Sequence, residues 1–154
     1  VNYIINNPQI LGRNNNIKND TSIKSITSKA NILIVDDNPR FRYHLNRIIT
    51  KLFNQVNLHE AQNSIEVLNA IKSTNFDLMF IDVILGNQNG ISLVKKVKDF
   101  TNSTRIILIS AYPDKEFHRQ GLEAGAAAFI DKKLLDSATI KQIIEDTISS
   151  NITG

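Results

Sequence analysis

The sequence has no cysteine in its 154 residues. That excludes a disulfide framework and a thiolate metal site, and it fits a reducing compartment such as the cytoplasm. No apolar run approaches the roughly 20 residues needed to cross a bilayer. The first residues lack the charged-then-apolar pattern of a signal peptide. There is no internal repeat and no heptad seam. The three histidines, His44, His59 and His118, have no ligand spacing with one another and read as structural or surface residues. Charge of one sign is also missing where it would matter. The net charge of +3 arises within residues 1–29, where Arg13, Lys18, Lys24 and Lys29 oppose Asp20. The remainder holds 14 basic and 14 acidic residues, and such a neutral body gives no basis for direct nucleic-acid binding.

What is present is an ordinary globular composition, 42% hydrophobic and 21% charged, with length for one domain and some surplus. Residues 1–29 contain seven asparagines and no clear amphipathic period. They read as an N-terminal linker or tail. The domain is expected over 30–150, with 151–154 a C-terminal tail.

From residue 31 the pattern alternates between strands and helices. ILIV at 32–35 is a continuous apolar run, as expected of a strand buried on both faces. Asn38 and Pro39 then supply a cap and a first helical residue. Phe41, Leu45, Ile48, Ile49 and Leu52 follow at helical spacing. Further strands are predicted at 56–60, 77–82, 105–110 and 127–130. Further helices are predicted over 64–73, with Ile65, Leu68 and Ile71 on one face, and over 91–100, 114–123 and 134–149. Lys95, Lys96 and Lys98 read as the solvated face of their helix. Five strands alternating with five helices predict an α/β, doubly wound, five-stranded parallel sheet in the flavodoxin-like order 2-1-3-4-5.

Asp82 is the anomaly in this pattern. It follows LMFI and precedes VIL, and a buried carboxylate is costly unless paired. Ligands of such sheets bind beyond the carboxyl ends of the strands. The first strand ends in Asp36 and Asp37, the third in Asp82, the fourth in Ser110, and Lys132 follows the fifth. Three converging carboxylates repel one another. A hard divalent cation such as Mg²⁺ relieves that, and Lys132 adds positive charge. The set suits a phosphoryl group, with Asp82 as nucleophile.

The stretches ILIVDDNP, MFIDVILGNQNG, IILISAY and GAAAFIDKK occur in this order across the predicted fold. Through them the chain from about 30 to 150 resembles the receiver domain of two-component response regulators. The resemblance implies a phosphorylation-dependent switch, not a turnover enzyme. It implies Asp82 as phosphoacceptor, served by a histidine kinase or a histidine phosphotransfer protein. It implies Mg²⁺ held by Asp37, Asp82 and the main-chain carbonyl of Ile84, with Asp36 acting mostly through water. Ser110 would move to meet the phosphoryl group, Lys132 would pair with it, and Phe129 would be the aromatic switch residue. A homodimer or partner would use the face of helix 4, strand 5 and helix 5. Two positions depart from the family pattern: Gly86 and Lys133 stand where a proline is usual or frequent. The stretch FIDKKLLDSATIKQII looks like the subgroup that often precedes a helix-turn-helix output domain, which is not expected within this sequence.

Three other readings fit less well. A haloacid-dehalogenase phosphatase needs its nucleophile on strand 1 in an Asp-x-Asp pattern, but here those acids are adjacent. A flavodoxin needs a hydroxyl-rich phosphate loop where this chain has two acids. A degenerate receiver would lack key positions that are all filled here.

Overall fold

The computed structural model describes residues 29–153. The predicted linker over 1–29 lies outside the described residues but for Lys29. In chain order the elements are β1 (Ala30–Val35), α1 (Pro39–Leu52), β2 (Val56–Ala61), α2 (Ser64–Ser73) and β3 (Leu78–Asp82). A two-strand hairpin follows, β4 (Ile84–Leu85) and β5 (Gln88–Asn89). Then come α3 (Gly90–Phe100), β6 (Arg105–Ser110), α4 (Lys115–Ala124), β7 (Ala128–Asp131), a 3₁₀ turn (Lys132–Leu134) and α5 (Ser137–Thr153).

The five long strands form one sheet in the order β2-β1-β3-β6-β7, and every pairing is parallel. Leaving out the hairpin, this is the predicted 2-1-3-4-5 order. Side chains alternate across the sheet as the strand period requires. Leu33, Val35, Met79, Ile81, Ile106 and Leu108 face α2, α3 and α4. Ile32, Ile34, Leu78, Phe80, Ile107 and Ile109 face α1 and α5. Between their polar ends the central strands are apolar because both faces are covered.

Local signals set the helix starts. Asn38 caps α1 through a 3.0 Å bond from the Arg40 N–H, with Pro39 next. Asn63, Asn89 and Asp114 cap α2, α3 and α4 in the same manner.

Several expectations need correction. Ile65 is 66% exposed, and the buried face of α2 is centred on Val67 and Ile71. Lys98 is only partly solvated. Its Nζ donates to the Thr104 carbonyl at 2.7 Å, and burial lowers its pKa. The last helix starts at Ser137, not 134, and runs to Thr153, past the predicted end at 149. Lys132–Leu134 forms a separate 3₁₀ turn because the Asp131 carboxylate accepts the Lys133 N–H at 2.9 Å. A proline at 133 would have no N–H to give.

Candidate functional site

The carboxyl edge of the sheet collects the polar strand ends. Asp36 follows β1 and is fully buried. Its backbone N–H donates to the Ala61 carbonyl at 3.1 Å, and its own carbonyl accepts from the Arg42 guanidinium at 2.6 Å. One carboxylate oxygen of Asp36 takes the Asn38 N–H at 2.8 Å and the other takes Lys132 Nζ at 2.6 Å. Asp82 ends β3 and is 7% exposed. Its Oδ1 accepts the Ile84 N–H at 3.0 Å and its Oδ2 accepts Lys132 Nζ at 2.7 Å. The carboxylate in an apolar run is therefore paired: one ammonium spans two buried acids.

Lys132 is held from below as well. Its Nζ lies 4.2 Å from the centroid of the Phe41 ring, a cation–π distance. Burial alone would lower the Lys132 pKa, but the hydrogen bonds and charges of Asp36 and Asp82 outweigh it and raise the value. Asp36 moves upward because burial and the Asp82 charge outweigh the Lys132 and Asn38 contacts. Asp37, next in the chain, is exposed.

Carboxylate oxygens of Asp36, Asp37 and Asp82 all lie within 4.8 Å of one another. This set consists of hard oxygen donors, two buried and one open to water. It fits a small divalent cation that keeps part of its hydration. Two glycines bring the backbone to the cluster. A Cβ on Gly90 would lie 2.0 Å from the Asp82 carbonyl oxygen, so α3 can start against the site only with glycine there. Gly86 has φ +60° and approaches the Asp37 carboxylate.

The other predicted residues are placed around this centre. Ser110 ends β6, on the strand next to Asp82, and is 1% exposed with its Oγ accepting the Tyr112 N–H at 3.1 Å. Ile84 meets Asp82 through its N–H. Phe129 on β7 is partly buried against α4 and stacks on His118, with centroids 5.2 Å apart at 21°. His59 meets Phe76 edge-on. The sequence reading missed Phe41, Arg42 and Gly90. Phe41 read only as part of the apolar spacing of its helix, and Arg42 and Gly90 drew no reading. A glycine at the first position of a helix is a poor helix former, and that was the available sign of a close approach.

Comparison with known proteins bears on family and fold. The family model described as response regulator receiver domain matches residues 32–145. The chemotaxis protein CheY of Halobacterium salinarum is 27% identical over 123 residues, 80% of this chain and 97% of that protein. The probable transcriptional regulatory protein NarL of Mycobacterium tuberculosis is 26% identical over 82% of this chain, which spans only 61% of that relative. A CheY-like receiver domain structure from Methanospirillum hungatei superposes with a TM-score of 0.75 at 25% identity, covering 82% of this chain and 98% of the other.

Proposed function

We propose, from the premise that this chain belongs to the response regulator receiver domain family, that Asp82 accepts a phosphoryl group and that the domain works as a signalling switch. The observation that carries this reading is the Lys132 ammonium bridging Asp36 and Asp82, with Asp37 beside them, at the carboxyl edge of the sheet. The donor is a histidine kinase or a histidine phosphotransfer protein. One oxygen of the Asp82 carboxylate attacks the phosphorus of a phosphohistidine. The P–N bond breaks, its electron pair stays on the imidazole nitrogen, and an acyl phosphate forms on Asp82.

The residues around Asp82 each have a part. Mg²⁺, held by Asp37, Asp82 and the Ile84 carbonyl with Asp36 acting mostly through water, would offset the charge of the cluster and of the transferring group. Lys132 exchanges a carboxylate partner for a phosphoryl oxygen. The Ser110 hydroxyl donates a hydrogen bond to another. Phe129 responds to the movement of Ser110 and changes the face of α4, β7 and α5, where a second copy or an output partner docks. The receiver spans about 30–150 with 1–29 as a linker. Among the described residues no helix is long and apolar enough to cross a membrane.

The test is intact-mass measurement after incubation with Mg²⁺ and a small acyl phosphate. Wild type should gain one phosphoryl group and Asp82→Asn should gain none. Equal labelling of the variant overturns the assignment.

A further inference from the structure

Arg42 does not point into solvent like the rest of the polar side of α1. Its side chain is 16% exposed. Its Nη1 donates to the Asp36 carbonyl at 2.6 Å and its Nε donates to Glu60 Oε1 at 2.9 Å. Asn46 holds the other Glu60 oxygen at 3.2 Å. Glu60 sits on β2 beside Ala61, whose carbonyl takes the Asp36 N–H. The peptide that joins Asp36 to Asp37 is thus gripped through its carbonyl by a planar guanidinium, which β2 aims.

We infer that Arg42 is a positioning residue for the carboxylate cluster, orienting the Asp36–Asp37 peptide so that Asp37 presents its carboxylate to a divalent cation. The inference rests on the cation reading of the cluster given above. Each neighbour fixes a different part of Asp36: its N–H, its two oxygens and its carbonyl. Only the carbonyl contact acts on the peptide plane that leads to Asp37. A fork geometry suits this task, because one nitrogen can hold the carbonyl while another is held by the carboxylate. If Arg42 only braced the fold, its replacement would lower the thermal midpoint and leave cation affinity alone. Outer residues that orient metal ligands affect affinity strongly.

The experiment is calorimetric titration of Mg²⁺ into the unphosphorylated protein, alongside its thermal midpoint without cation. The variants are Arg42→Met, Arg42→Lys and Glu60→Gln, with Asp37→Asn as the ligand control. Arg42→Met should weaken Mg²⁺ binding about tenfold. Arg42→Lys keeps the charge but loses the fork, and it should recover only part of that loss. Glu60→Gln should give an intermediate loss. If Arg42→Met is too poorly folded to titrate, the other two variants carry the test. Wild-type affinity in Arg42→Lys and Glu60→Gln overturns the inference. Full recovery in Arg42→Lys also overturns it, because charge alone would then suffice. Wild type that binds no Mg²⁺ overturns the cation reading and the inference with it. Binding in wild type with unchanged variants overturns the inference alone.

Discussion

The site is held together by one residue, Lys132, which neutralises a fully buried acid and a nearly buried one. Removing one partner of a buried ion pair leaves uncompensated charge. Burial already raises the Asp36 pKa and Lys132 pulls it back, so Lys132→Met lifts it further. Between the ordinary carboxylate value and the raised one, the folded state then binds more protons than the unfolded chain. Stability therefore falls as pH rises through that window. In chelator-treated protein the variant should lose on the order of 3 kcal/mol at about pH 7.5 and regain much of it at about pH 5. Urea denaturation at both pH values checks this, and a deficit independent of pH would count against it. The lifetime of the proposed acyl phosphate should depend on two further side chains. Ile84 and Tyr112 are 45% and 75% exposed at the rim, and neither is a carboxylate or amide that orients water for in-line attack. Phosphate release should be faster from the double variant Ile84→Asn, Tyr112→Glu than from wild type. No change would show that these positions do not set the lifetime. The acids at the strand ends were legible because an isolated charge in an apolar run needs a reason. Strand order placed Lys132 at the same sheet edge as Asp36, but the direct contact was not legible, since the two residues are 96 positions apart.

At the level of elements, the long strands and their order were legible because buried parallel strands read as apolar runs separated by helical periods. The β4–β5 hairpin was not, since two residues per strand show no period. Its turn places Gly86 at φ +60°, with no positive φ at Asn87, the pattern of a type II′ turn. This explains the departure from the family's usual proline. Proline is locked near φ −65° and cannot take this conformation. Gly86→Pro should therefore destabilise the domain by roughly 2 kcal/mol, while Gly86→Asn costs well under half of that. Thermal midpoints of the two variants decide. Equal midpoints for Gly86→Pro and wild type would show that the loop takes another path without cost. Leu68 and Ile71 pack on the core as the spacing implied, but Ile65 does not, for a related reason: a ten-residue helix with Ile65, Val67, Leu68 and Ile71 offers two overlapping apolar stripes, and only the sheet beneath selects one.

Across the whole molecule, the proposed switch requires that a change at Asp82 reach the α4–β7–α5 face. Ser110 ends β6 beside Asp131 of β7, and Phe129 pairs with Leu108 two residues earlier on the same strands. A pull on Ser110 toward Asp82 therefore acts on the strand pair that carries Phe129. On the outer side, Phe129 stacks on the exposed His118, which favours the outward ring position. Such an aromatic contact is worth about 0.5–1.5 kcal/mol, enough to change a two-state ratio roughly two- to tenfold. His118 was read in the sequence only as a structural or surface residue, because nothing local ties it to a ring eleven residues on. His118→Ala should leave phosphorylation yield unchanged, since His118 touches none of the carboxylates. In the unphosphorylated variant, amide resonances of α4 and β7 should move part of the way toward their positions in the phosphorylated wild type. Resonances of α2 should stay in place. If α4 and β7 amides of the variant match unphosphorylated wild type, the stack does not hold the ring outward, and the signal depends on Ser110 alone.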